Sequence, residues 1–159
     1  MIRAAVSYKS PGKAETDMEK IAIKHSIWIA APRERVWQAV TDPKQIAQWF
    51  APGTTLSQNG NTISVRMGET DVEVAVIEVF DPPRQITTRS LPERAITTTY
   101  TLEEENGGTR FTVTETGFEA LSEEARKERL DQDDRGWEML LENLKACIDG
   151  RKLPRPEGF

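Results

Sequence analysis

One cysteine and one histidine are all that this chain of 159 residues provides. With Cys147 alone, an internal disulfide and a thiolate metal cluster are both excluded. With His25 alone, a His-rich metal site is excluded, and any Ser-His-Asp arrangement would hang on that one residue. No run of about 18 apolar residues occurs, so no membrane-spanning helix is expected. The first residues carry no apolar segment ahead of a cleavage site, so no signal peptide is expected either, and the expected location is cytoplasmic. Positive charge is in short supply as well: 21 Lys and Arg stand against 26 Asp and Glu, a net charge of -5. Neutralising phosphates needs the opposite balance, so nucleic acid is not an expected partner.

What is present is enough for one core. Apolar side chains are 37% of the chain, and a domain of this size buries roughly 70% of its unfolded surface. Residues 1–18 are aperiodic and broken by Pro11-Gly12, which reads as a loose arm or a short added strand. Residues 19–150 read as a single domain. The tail 151–159 carries two prolines and no core pattern.

Within 19–150 the hydrophobic period changes in an informative order. Ile21, Ile23, Ile27 and Ile29 alternate as in a strand with one buried face. Pro32 opens a helical stretch bearing Val36, Trp37 and Val40. Asp42-Pro43 caps and starts a second short helix carrying Ile46, Trp49 and Phe50, which Pro52-Gly53 stops. Strands come next at 54–58, 61–67, 71–80, 84–90, 95–103 and 109–116. Asn59-Gly60, Asp81-Pro82-Pro83 and Asn106-Gly107-Gly108 mark turns between them. In 71–80, Val72, Val74, Val76 and Phe80 read as one face. From about Glu119 the period is helical, with a stripe of Trp137, Leu140, Leu141, Leu144 and Ile148 and a stop at Gly150. Gly136 predicts a bend, or a separate leading helix over 119–134. The short connections predict an antiparallel sheet, and its apolar face needs the final helix as a cover.

Several strings in this order carry a family resemblance. They are Ala31-Pro32 with Val36-Trp37, Thr41-Asp42-Pro43 running to Trp49-Phe50, and Glu78-Val79-Phe80-Asp81-Pro82-Pro83-Arg84. Gly108-Thr109-Arg110 and Gly136-Trp137 with Leu141 and Leu144 complete the set. Over about residues 20–150 the chain resembles the START/Bet v 1-like (SRPBCC) helix-grip superfamily, and most of all its branch related to the C-terminal domain of the activator of Hsp90 ATPase. The resemblance implies an α+β fold: a curved antiparallel sheet of about seven strands, with two short helices after the first, wrapped around a long C-terminal helix. It implies activity weakly, because this fold hosts lipid carriers, hormone receptors, polyketide cyclases and co-chaperones. One departure stands out. Family members often carry an aromatic residue and a Trp near the end of the strand that reads Ile86-Thr87-Thr88-Arg89-Ser90 here, so a more polar or roomier hollow is expected.

A sheet gripping a helix often leaves an apolar hollow where ligands bind. The candidates for its wall are His25, Trp49, Phe50, Val74, Val76, Thr88, Ser90, Tyr100, Phe111, Glu115, Trp137, Leu141 and Leu144. No residue is assigned a catalytic or metal-binding role, and no cofactor is expected. His25 is in phase with the buried isoleucines; a hydrogen-bonded structural imidazole is the preferred reading over a ligand contact. Glu115 shares a phase with Phe111 and Val113 and could meet His25 as an acid–base pair. The preferred reading sets it at a solvated rim, since one residue of slippage inverts a strand. Trp37 reads as core, while Trp49, Phe50 and Tyr100 read equally as core or wall. The acidic runs 103–105 and 131–134 read as solvated, and Cys147 as inert and partly buried. The expected function is non-catalytic binding of a small hydrophobic molecule: a lipid, an aromatic or a polyketide-like compound. The alternatives are a module acting on an Hsp90-type chaperone or in stress response, and a cyclase- or hydrolase-like enzyme using His25 and Glu115. A homodimer is a further expectation.

Overall fold

The computed structural model of the protein describes residues 3–4 and 21–158, and the rest of the expected arm lies outside the described residues. Eight antiparallel strands form one sheet, seven of them long enough to build the fold. They are β1 (Arg3–Ala4), β2 (Ala22–Ile29), β3 (Leu56–Asn59), β4 (Thr62–Met67), β5 (Thr70–Asp81), β6 (Gln85–Ser90), β7 (Thr97–Glu105) and β8 (Gly108–Thr116). Their order across the sheet is β1-β2-β8-β7-β6-β5-β4-β3, so the first long strand pairs with the last. Helices α1 (Arg33–Thr41) and α2 (Pro43–Phe50) lie between β2 and β3, and α3 (Glu123–Ile148) comes after a short 3-10 turn at Phe118–Ala120. This is the expected α+β helix-grip arrangement.

The local reasons are plain. Asp42 caps α2 by accepting from the Lys44 backbone N–H at 3.1 Å, with Pro43 in the first turn. Ser122 caps α3 by accepting from the Ala125 backbone N–H, and Glu123 and Glu124 occupy its positive end. The helix runs through buried Gly136 as one continuous element, without the expected alternative of a separate leading helix. One glycine costs about 1 kcal/mol of propensity. Burying Trp137, Leu140, Leu141 and Leu144 against the sheet outweighs it, at roughly 2 kcal/mol per large apolar side chain.

Register sets what faces the helix. One inner row runs Ile77–Thr88–Thr98–Glu115–Ile23 across five strands. The adjacent row runs Phe80–Ile86–Tyr100–Val113–His25. Strand β5 departs from simple alternation twice. Ile63 pairs with Ala75 but Ser64 with Glu73, leaving Val74 as an extra residue. Ile77 pairs with Thr88 but Val79 with Thr87, leaving Glu78 extra. Each extra residue inverts the facing of the strand beyond it. The expected single face of Val72, Val74, Val76 and Phe80 is therefore broken. Val76, opposite Arg89, points away from α3, and the second bulge turns Phe80 back to the inner side, where it meets Trp37 at 5.5 Å between ring centroids.

The tail is tied down rather than free. Asn143, fully buried on α3, accepts from the Arg155 backbone N–H at 2.9 Å and donates to the Arg155 and Trp49 carbonyls at 2.8 and 3.1 Å. One side chain thus joins α3, α2 and residues 151–158. Asn143→Leu keeps the branching and the number of heavy atoms but strands these groups, at about 1–3 kcal/mol per buried unpaired group. We expect a fall in urea-unfolding stability of about 2–4 kcal/mol and faster proteolysis at the tail; an unchanged midpoint would contradict this role.

Candidate functional site

Between sheet and α3 lies a hollow of about 220 Å³. Its floor is the sheet: Ile63, Ala75, Ile77, Ile86, Thr88, Thr98, Tyr100 and Glu115. Its roof is helical: Val40 and Thr41 from α1, Ile46 and Phe50 from α2, and Trp137 from α3. Leu56 and exposed Val74 stand on the side of the β3–β5 edge. Among the described residues, no Lys, Arg or His is in this wall. Four aromatic residues hold its shape by edge-to-face contact: Trp137 meets Phe50 and Tyr100 at 5.8 Å each, and Tyr100 meets Phe111 behind it at 5.0 Å.

The polar groups of the wall are Thr41 on α1, Thr88, Thr98 and Tyr100 on β6 and β7, and Glu115 on β8. Glu115 is buried, against the reading that sets it at a solvated rim. Its Oε2 accepts from the Thr98 hydroxyl at 3.0 Å, and its carboxyl also has hydrogen-bond contacts with the Asp133 and Trp137 side chains of α3. Burial first, and then the Asp133 carboxyl beside it, push the Glu115 pKa up to about 8; Trp137 and Thr98 pull the other way and lose. At neutral pH this side chain is therefore mainly a neutral acid. Tyr100 is equally enclosed, and burial with Glu115 nearby holds its phenol well above the ordinary range, so it stays a hydroxyl. Behind Glu115, a second recess of about 100 Å³ is lined by Phe50, Arg129, Asp133, Trp137 and Leu140. Arg129 holds Asp133 through both carboxylate oxygens at 3.0 and 3.1 Å.

His25 is buried too, but its partner is Asp134 of α3, at 2.9 Å from Nε2, and it does not line the hollow. His25 and Glu115 occupy neighbouring rows of the sheet, and each turns to a different aspartate of the helix. The run 131–134 is thus not wholly solvated: Asp131 pairs outward with Arg135, while Asp133 and Asp134 face the sheet.

Comparison with known proteins bears on this geometry. The family model described as activator of Hsp90 ATPase homolog 1-like protein matches residues 30–149. This chain belongs to that family. No curated protein matches it. Among solved structures it is similar to the Aha1 dimer from Colwellia psychrerythraea (19% identity, TM-score 0.66, covering 80% of this chain and 96% of that one). It is similar also to SSP2350 from Staphylococcus saprophyticus (25% identity, TM-score 0.64, 83% and 95% covered). A third is CalU16 from Micromonospora echinospora (26% identity, TM-score 0.59, 80% and 75% covered).

Within this AHSA1-like domain, six expected wall residues line the hollow: Phe50, Val74, Thr88, Tyr100, Glu115 and Trp137. The others do not. Trp49 is fully buried and donates its indole N–H to the Ala39 carbonyl at 2.9 Å. Phe111, Leu141 and Leu144 are packed core. The Ser90 hydroxyl accepts from the Ile96 backbone N–H, and Val76 is on the far face of the sheet. Among residues that sequence reasoning missed, Thr98 sits two positions from Tyr100 and shares its face by simple alternation. Asp133 is one helical turn before Trp137, so extending the stripe backward would have found it. Among the described residues no helix is long and apolar enough to cross a membrane.

Proposed function

We propose that this AHSA1-like protein binds a small apolar molecule in the hollow between sheet and α3 and does no covalent chemistry on it. The observation that carries this is the wall itself: about 220 Å³ of space ringed by aliphatic and aromatic side chains, with a few hydroxyls and one carboxyl among them. Apolar walls supply affinity and a few polar groups fix orientation. An enzyme using His25 with Glu115 has less support, because His25 is engaged by Asp134 and the Thr98 hydroxyl beside Glu115 is taken up in donating to it. Native mass spectrometry of protein drawn from its own host should show a retained small molecule, and Thr88→Phe, which fills the hollow, should lose it. Retention by the filled variant would refute the site.

A second reading, action on an Hsp90-type chaperone, draws on the description of the family. A chaperone ATPase assay separates it: stimulation that survives Thr88→Phe would favour docking over carriage. The Colwellia relative is a dimer, and the same mass spectra report whether this chain pairs likewise.

A further inference from the structure

Five polar side chains line the hollow, and three of them are already engaged. Thr41 donates to the Trp37 carbonyl at 2.7 Å. Thr98 donates to Glu115, whose carboxyl also meets Asp133 and Trp137. The hydroxyls of Thr88 and Tyr100 remain. Neither has a hydrogen-bond partner among the described residues, and neither is shut away from open space. The space that both side chains border is the hollow. They reach it from neighbouring strands: Thr88 lies opposite Thr98, and Tyr100 is two residues further along β7 on the same face. Diagonal neighbours of this kind are about 7–8 Å apart.

Tyr100 is the better prepared of the two. Its ring is held edge-to-face by Trp137 at 5.8 Å and Phe111 at 5.0 Å, so the hydroxyl is in place before any ligand arrives. Enclosure leaves this donor little water to turn to, and a buried donor without an acceptor costs about 1–3 kcal/mol. An oxygen on the ligand removes that cost, whereas a hydrocarbon leaves it standing. The rest of the wall sets charge and size. Among the described residues it has no cationic side chain, so an anionic ligand would arrive without a counter-charge. A cavity of about 150 Å³ takes benzene and drug-sized ligands need about 300 Å³ or more, so about 220 Å³ suits one or two rings.

We propose that Tyr100 is the specificity-determining residue of the hollow, donating its hydroxyl proton to an oxygen of a neutral one- or two-ring ligand, with Thr88 as a secondary contact. This rests on the carrier reading and adds to it the group that tells one ligand from another.

Calorimetry with 2-acetylnaphthalene, naphthalene and 2-naphthoate tests this on wild type, Tyr100→Phe and Thr88→Val. The wild type should bind the ketone about tenfold more tightly than the hydrocarbon, the value of one well-made hydrogen bond. The carboxylate should gain nothing over the hydrocarbon. In Tyr100→Phe the ketone should fall to the affinity of naphthalene while naphthalene itself binds as before, a split that a merely structural role would not produce. Thr88→Val should keep most of the ketone's advantage. The infrared carbonyl stretch of the bound ketone should lie lower in wild type than in Tyr100→Phe. Equal ketone and hydrocarbon affinity in wild type, an advantage or a carbonyl frequency untouched by Tyr100→Phe, or tightest binding of the naphthoate would overturn the role of Tyr100 and leave the carrier reading standing. No binding of any of the three to wild type would overturn both.

Discussion

Glu115→Gln should raise the melting temperature by about 5 to 10 °C at pH 8 and change it little at pH 4.5. The sign comes from proton linkage. Burial and the neighbouring Asp133 raise the folded-state pKa to about 8 from an ordinary 4.5. Between those values the native protein keeps a proton that the unfolded chain has released. Stability is therefore fullest below pH 4.5 and drains away as pH climbs through 8. The span sets a ceiling of about 5 kcal/mol at about 1.4 kcal/mol per unit. Water and side-chain relaxation around the ionised group reduce the expectation to about 2–4 kcal/mol, or a few degrees per kcal/mol for a chain of this length. Glutamine keeps an oxygen for Thr98 and never ionises. Calorimetric melts of both proteins from pH 4 to 9 check this; parallel curves would show that Glu115 is not a buried acid.

Gly117→Ala should cost about 3–5 kcal/mol, a large share of the roughly 5–15 kcal/mol that keeps a domain folded. Gly117 joins β8 to the 3-10 turn before α3, with φ of +100°. That conformation alone costs a residue with a Cβ about 1–3 kcal/mol. A Cβ there would also overlap the Ala95 backbone carbonyl, and backbone yields less readily than a flexible side chain. The same change at Gly60, where φ is +63° and a Cβ meets nothing within 4 Å, is the control and should cost only the conformational part. Equal losses at the two sites would mean that Ala95 moves aside and that the close approach is not a constraint.

The architecture was legible because its signals are local. The alternation of Ile23, His25, Ile27 and Ile29, the Asp42-Pro43 restart and the stripe from Trp137 to Leu144 each act within one element. The hollow was half legible for the opposite reason. Which side Val76 takes depends on how β5 pairs with β4 and β6, and no residue in 71–80 announces a bulge. Charge misled at Asp133 and Asp134, since four polar residues in a row suggest water, whereas two of them answer Glu115 and His25 across the helix–sheet boundary. Trp49 and Trp137, both indoles on helices, part company because one finds the Ala39 carbonyl and the other lines open space.

The paired bulges of β5 make its inward and outward positions a matter of parity. Losing Val74 alone would set outward Glu73 next to inward Ala75, a regular alternation in which every other residue keeps its side and its partner. Losing Glu78 alone would do the same for inward Ile77 and outward Val79. Single deletions should therefore be tolerated best at the two extra positions and less well at the paired positions between them, and a screen of single deletions across 72–79 would display that pattern directly.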